Sequence, residues 1–273
     1  MATITMLHPG AMGAAVGGLL VEAGHEVHWA GDGRSQATRD RAMAAGLQEH
    51  GSIPEAVAGA DMVISLCPPG AAVTVAEQVA DAGFTGCYVD ANAVQPTTVR
   101  RIADLFDDVV DGSVVGGPPV HGDDHPTRLY LSGPTAHRVA ALFDDDALDV
   151  VGLPDATIGA ASAVKMAFAG WTKGTAALLV ALRAMARAEG VEEAVLAEWR
   201  RSLPGIAERT DRAAPLAAKA WRFEGELREI AGAMTAHGLP DGFHIAAAEV
   251  YAALADLRHI DDVTPADLLD RLA

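Results

Sequence analysis

The sequence predicts an α/β chain in two parts: a mostly parallel sheet with helices on both faces, followed by an all-helical part. Three observations predict it. Up to about residue 155 short β-like runs alternate with helix-like stretches, beyond Asp155 the β signals stop, and a strand, a glycine-bearing turn and a helix open the chain in ITMLHPGAMGAAVGGLL. Such alternation over ~150 residues is the pattern of a sheet wound with crossover helices.

Taken in order, the β runs fall at 3–7, 26–30, 62–66, 86–90, 108–110, 128–132 and 148–151. From 157 to a glycine cap at Gly190 the apolar spacing is helical and no proline interrupts it. At 1.5 Å per residue such a helix would be ~50 Å long, more than a compact domain needs, which suggests an interdomain spine or a dimer element. Further helices are expected at 191–203, stopped by Pro204, from Pro215 to about Gly238, at 243–257, and in TPADLL, where Thr264 caps and Pro265 enters the first turn. The domains are therefore drawn at 1–156 and 157–273.

Composition narrows the function classes. The chain has 273 residues, 50% hydrophobic and 5% aromatic, so alanine and small aliphatics fill its core. A formal charge of -17 repels polyanions, and nucleic acid and anionic membranes are not expected partners. No window reaches the ~20 apolar residues of a membrane span, and the first residues lack the basic start and apolar run of a signal peptide. The two cysteines, Cys67 and Cys87, make neither a zinc site nor a disulfide scaffold. The expectation is a reduced, cytoplasmic chain.

The first turn carries the first chemistry. In HPGAMG, residues Pro9, Gly10, Ala11, Met12 and Gly13 sit between a strand and a helix, as in a dinucleotide-binding fingerprint. Gly10 stands where backbone approaches a pyrophosphate, Gly13 where helix packs on strand, and the helix N-terminus offers N–H groups to phosphate. The first expected glycine is absent. His8 replaces it, and Pro9 can supply a different rigid turn.

A cofactor's adenosine ribose is read at the end of the second strand. There the chain runs Gly31, Asp32, Gly33, Arg34, Ser35. Asp32 can bond a ribose hydroxyl, and Arg34 with Ser35 can bind a 2′-phosphate. Because Gly31 leaves room and Arg34 supplies charge, NADP is favoured over NAD; the alternative is a solvated turn that reads neither.

The order HPGAMG, SLCPPGAAV, VDANAVQP, SVVGGPP and GAASAVKMAFAGWTKG resembles the β-hydroxyacid dehydrogenase superfamily, which includes 6-phosphogluconate dehydrogenase, 3-hydroxyisobutyrate dehydrogenase and the imine reductases. The stretch from KMAFAGWTKGTAALL to GLPDGFHIAAAEVYAAL resembles the C-terminal domain of an uncharacterised subgroup of NAD(P)-dependent oxidoreductases. The resemblance spans nearly the whole chain. It implies an N-terminal Rossmann domain, a long interdomain helix, an all-α C-terminal domain and an active site in the cleft.

It also implies roles. SLCPPG would lay Leu66, Cys67, Pro68 and Pro69 along the cofactor, with Cys67 a small apolar residue rather than a redox thiol. Asn92 and Ala93 fall where the superfamily carries a serine and a threonine for a substrate carboxylate, so a simple carboxylate substrate is put in doubt; Asn92 can instead touch cofactor or cap the helix near Pro96. Gly116 and Gly117 match the glycine pair that admits substrate to the backbone. Lys165 matches the general acid or base, and its neighbours Val164 and Met166 are apolar, which desolvates an amine and lowers its pKa. The alternative is a lysine reaching water.

Four residues after Lys165 the superfamily commonly has an asparagine, and this chain has Ala169. Lys173, eight residues on, shares the helix face and is a candidate for an anionic substrate group. His244 is a candidate supplied across a homodimer. HGDDH, 121–125, has two histidines four apart, but Pro119 and Pro126 preclude regular helical spacing, and no metal is expected. The resulting expectation is hydride transfer between nicotinamide and a hydroxyl- or carbonyl-bearing carbon of a small substrate, with Lys165 moving the proton. Two alternatives stand beside it: an imine reductase, in which an acidic or phenolic donor often replaces the lysine, and a non-catalytic dinucleotide sensor.

Overall fold

A computed structural model describes residues 1–143, 146–211, 220–260 and 262–272. It divides into two units, residues 1–165 and 166–273.

The first unit is built on one sheet with the order β3-β2-β1-β4-β5-β6-β7-β8. The strands are β1 (Thr3–Leu7), β2 (Glu26–Ala30), β3 (Gln48–His50), β4 (Met62–Ser65), β5 (Cys87–Asp90), β6 (Val109–Val115), β7 (Thr127–Ser132) and β8 (Leu148–Gly152). All neighbours run parallel except β6 and β7, which pair antiparallel with Asp111 opposite Ser132. The connecting helices are α1 (Ala11–Glu22), α2 (Gln36–Ala44), α3 (Ile53–Val57), α4 (Ala72–Asp81), α5 (Pro96–Ala103) and α6 (Ala136–Ala140).

Strand periodicity explains the layers. Successive side chains point to opposite faces, so Met62 and Ile64 join one core with Ile4, Met6 and Val89, while Val63 joins the other with Leu7 and Tyr88. A sheet buried on both faces reads as near-continuous apolar runs, as Met62, Val63 and Ile64 do in β4. The strand order reverses between β1 and β4, and in open sheets ligands bind at the carboxyl ends beside such a reversal.

Two elements of this unit depart from the sequence reading. The edge strand β3 is Gln48, Glu49 and His50, with no apolar residue to signal it; pairing with β2 alone makes it a strand. Strand β6 runs to Val115, well past the expected 108–110, because residues Asp111 to Val115 pair antiparallel with β7, a contact that Gly112 in the run conceals from the sequence pattern.

Helix α7 (Ala160–Ala188) starts in the first unit and continues into the second. It stops before Gly190, which takes the left-handed φ of 72° that favours glycine. The second unit adds α8 (Glu192–Ser202), α9 (Ile206–Asp211), α10 (Ala220–Ala236), α11 (Gly242–Ala253) and α12 (Pro265–Leu272). Its core joins Met166, Val180, Leu227, Ile230, Ala248 and Tyr251. Helix α9 was not expected, and the expected start of a helix after Pro215 lies outside the described residues. The anticipated helix 243–257 ends at Ala253 and gives way to a 3₁₀ turn, Ala255–His259. Thr264 caps α12 by accepting the Asp267 N–H at 3.3 Å.

Candidate active site

The opening turn keeps a glycine's backbone without the glycine. His8 has φ 65°, a region that costs an ordinary residue about 1–2 kcal/mol. The chain then doubles back, the Gly10 N–H donating to the His8 carbonyl at 2.7 Å. A Cβ on Gly13 would lie 2.7 Å from that carbonyl, so only glycine lets α1 approach β1 here. A Cβ on Gly10 would meet nothing nearer than 4.0 Å, and no side chain caps α1. An uncapped helix N-terminus behind an open glycine fits a pyrophosphate, which the N–H groups from Ala11 to Gly13 would hold. The residues present therefore fit a dinucleotide.

At the carboxyl end of β2, Arg34 Nη2 donates to His8 Nε2. Burial, and secondly the Arg34 charge, push the His8 pKa down to about 4, so the imidazole is neutral. Ser35 caps α2, its Oγ accepting the Thr38 N–H at 3.3 Å. The space beside Gly31 is taken by the end of the Glu49 side chain, which is ion-paired with Arg39. Arg39 also donates to the Gly31 carbonyl at 2.8 Å. Sequence reading missed this because Glu49 belongs to the silent edge strand.

The loop after β4 is tied to β5 through Asn92. Its Oδ1 accepts the Cys67 N–H at 2.6 Å, and its Nδ2 donates to Ser65 Oγ at 3.1 Å and Asp90 at 2.8 Å. The amide is engaged by these groups inside the protein, and Gln95 rather than Asn92 takes the N-cap position of α5. Leu66 donates its N–H to Leu7, and Pro68 and Pro69 open a 3₁₀ turn, Pro69–Ala71. Ala93 is half-buried just beyond Asn92. Burial pushes the Cys67 thiol up to about 11, which keeps it protonated and inert at neutral pH.

Strand β6 holds the start of α7 at two points. The buried Asp111 carboxylate accepts the N–H groups of Gly159 and Ser162 at 2.9 and 3.1 Å, Ser162 Oγ at 2.7 Å and Ser132 Oγ at 2.9 Å. Three residues along β6, the Val114 carbonyl accepts Lys165 Nζ at 2.7 Å. Gly116 has φ 134°, and a Cβ would lie 2.7 Å from Thr127 Oγ1, so packing on β7 demands glycine there. A Cβ on Gly117 would meet nothing within 4 Å.

Lys165 thus belongs with the carboxyl ends of the parallel strands, beside Gly116 and Gly117. Lys173 and His244 lie in the second unit. Lys173 Nζ pairs with the buried Glu226 and sits 4.6 Å from the Phe223 ring centroid, so a substrate anion would have to displace Glu226. His244 packs on Gly170 and Gly174 of α7. In HGDDH, His121 faces Glu22 at 3.1 Å, and no group of three His, Cys, Asp or Glu among the described residues could hold a metal. Asp111 and Ser162 escaped sequence reading. The signal was present in VVDGSVV, a carboxylate in an otherwise buried run, but only the fold names its partners.

Comparison with known proteins accords with this geometry. The family model described as the NAD binding domain of 6-phosphogluconate dehydrogenase matches residues 3–122, and a domain of unknown function, DUF1932, matches residues 186–254. A solved conserved protein described as structurally similar to 3-hydroxyacid dehydrogenases is 26% identical, with a TM-score of 0.68 over 94% of this chain and 98% of that one. The chain is similar in both matched parts to the β-hydroxyacid dehydrogenase-like superfamily.

A probable 3-hydroxyisobutyrate dehydrogenase of Mycobacterium bovis is 32% identical over 139 residues, 49% of this chain and 46% of that superfamily member. The match therefore spans about half the length of that relative. In fold, the 3-hydroxyisobutyrate dehydrogenase of Mycobacterium tuberculosis with L-serine has a TM-score of 0.73 at 22% identity, covering 100% and 99% of the two chains. An imine reductase of Myxococcus stipitatus in complex with NADP+ has a TM-score of 0.56 at 18% identity, covering 99% and 100%.

Proposed function

We propose that the chain is an NADP-dependent oxidoreductase acting on a hydroxyl- or carbonyl-bearing carbon of a small substrate, with Lys165 as general acid and base. The observation that carries this reading is the seat of Lys165: its amine is held on Val114 near the carboxyl end of β6, the same end of the parallel strands at which HPGAMG follows β1. When bound, a nicotinamide cofactor would supply or accept the hydride. Lys165 donates a proton to the oxygen of a carbonyl being reduced and takes the hydroxyl proton in the reverse direction. The Asp111 and Val114 anchors hold the amine in place, which is the protein's share of such catalysis.

NADP is preferred to NAD on the strength of Arg34, a guanidinium at the carboxyl end of β2 where a 2′-phosphate would lie. With Asn92 engaged internally and Ala93 and Ala169 apolar, those places lack the groups that would hold a small carboxylate. Imine reduction is the second reading, favoured by the shared fold of the imine reductases; a lysine in the acid/base place supports the carbonyl reaction instead.

A second copy of this chain is the proposed partner, seated on α7. Phe168, Trp171, Thr175, Leu178, Leu182 and Met185 recur at alternating steps of three and four, and all but Thr175 are exposed. A stripe of that period on a long helix is the seam of helix pairing. Buried free thiols at Cys67 and Cys87 suit a reducing cytoplasm.

The test is Lys165→Met, assayed with NADPH against aldehydes and ketones, with NADP+ against hydroxy acids, and for NADPH affinity. Turnover should fall by about 10²–10⁴-fold with affinity unchanged. A variant that turns over at the parent rate contradicts the role of Lys165. A parent that binds NADPH yet turns over no hydroxy acid, carbonyl or imine is the sensor.

A further inference from the structure

We propose that His8 is a specificity-determining residue of the cofactor site, holding the Arg34 guanidinium for the 2′-phosphate of NADP. The inference rests on the reading above that this chain takes NADP. It explains why a histidine occupies a backbone position that favours glycine.

The first observation is conformational. His8 has φ 65°, and strain of this kind persists where the side chain gains something the backbone loses. The second is what the side chain touches: His8 Nε2 accepts from Arg34 Nη2, across a sequence separation of 26 residues and between the carboxyl ends of β1 and β2.

The third concerns charge. A half-buried guanidinium ordinarily has a carboxylate beside it, as Arg39 has Glu49 and Arg183 has Glu192. Among the described residues Arg34 has no carboxylate within ion-pair distance; its partner is an imidazole that accepts a hydrogen bond and so carries no charge. Its Nε–H is buried with no hydrogen-bond partner. A neutral acceptor orients Arg34 without spending its charge, and an anion is what that charge lacks. A 2′-phosphate is an anion that the guanidinium fork binds well.

Arg39 cannot take the role. It is committed to Glu49 and to the Gly31 carbonyl. Ser35 Oγ accepts the Thr38 N–H at the α2 N-cap and carries no charge, so the charge offered to a 2′-phosphate here is that of Arg34.

The experiment compares His8→Gly and His8→Asn with the wild-type full-length protein. Dissociation constants for NADPH and NADH are measured by calorimetry, and melting is followed without ligand. Glycine relieves the backbone, so His8→Gly should melt at or above the wild type while losing roughly tenfold in NADPH affinity and nothing in NADH affinity. Asparagine, which tolerates the same φ and still offers an acceptor, should retain part of the preference and serves if the glycine variant fails to fold. An equal change for both cofactors, or none, makes His8 a turn residue and overturns the assignment, as does tighter NADPH binding. A wild-type protein that binds neither cofactor defeats the NADP reading itself, and this assignment with it.

Discussion

Asp90 shows how a single buried carboxyl reports on the site around it. Burial raises its pKa from 3.8 to about 7; the two hydrogen bonds from Asn92 oppose that rise and Asp111 adds to it. In the unfolded chain the group ionises near 3.8, so between about 4 and about 7 only the unfolded state has lost the proton. Stability from this group is therefore full below the lower value and is lost as pH rises through the upper one. Asp90→Asn should flatten the fall of melting temperature with pH across that window; an unchanged slope contradicts the protonated carboxyl. Residue identity was legible where the backbone imposes it, as at Gly13 and Gly116, because a close approach leaves no alternative. Pairs such as His8 with Arg34, or Lys173 with Glu226, were not, since nothing local in the sequence records a contact made across loops or between helices.

Helix α7 and strand β6 form the element pair on which the proposed chemistry depends. The Asp111 carboxylate accepts four hydrogen bonds, three of them from Gly159 and Ser162 at the start of α7. Ser162→Ala removes the side-chain bond and should lower unfolding free energy by about 1–3 kcal/mol in denaturant. Asp111→Ala, which orphans all four donors, should cost more; no loss in either variant would mean that the start of α7 is held elsewhere. The inner parallel strands were readable as short buried apolar runs, and α7 because its helical apolar period is long. The edge strand β3 and the short α9 were not, since pairing and packing rather than composition make them. That gap matters, because β3 brings Glu49 to Gly31 and so fills a place the sequence left open.

At the scale of the molecule, the apolar stripe on α7 predicts association. Leu178→Glu with Leu182→Glu places two charges on the exposed seam and should shift sedimentation from dimer to monomer without loss of fold. A parent that sediments as a monomer contradicts the stripe's assignment. The two-part plan was legible from the point near residue 155 where β signals cease, and the structure carries that change through a helix that begins on the sheet. HPGAMG acts as a dinucleotide turn despite its missing glycine if cofactor stabilises the fold, which thermal unfolding with saturating NADPH or NADH reads. A ligand at about 100 times its dissociation constant stabilises the native state by about 2.7 kcal/mol. Melting temperature should rise clearly with NADPH and less with NADH at equal concentration; no rise with either would mean that HPGAMG holds no dinucleotide.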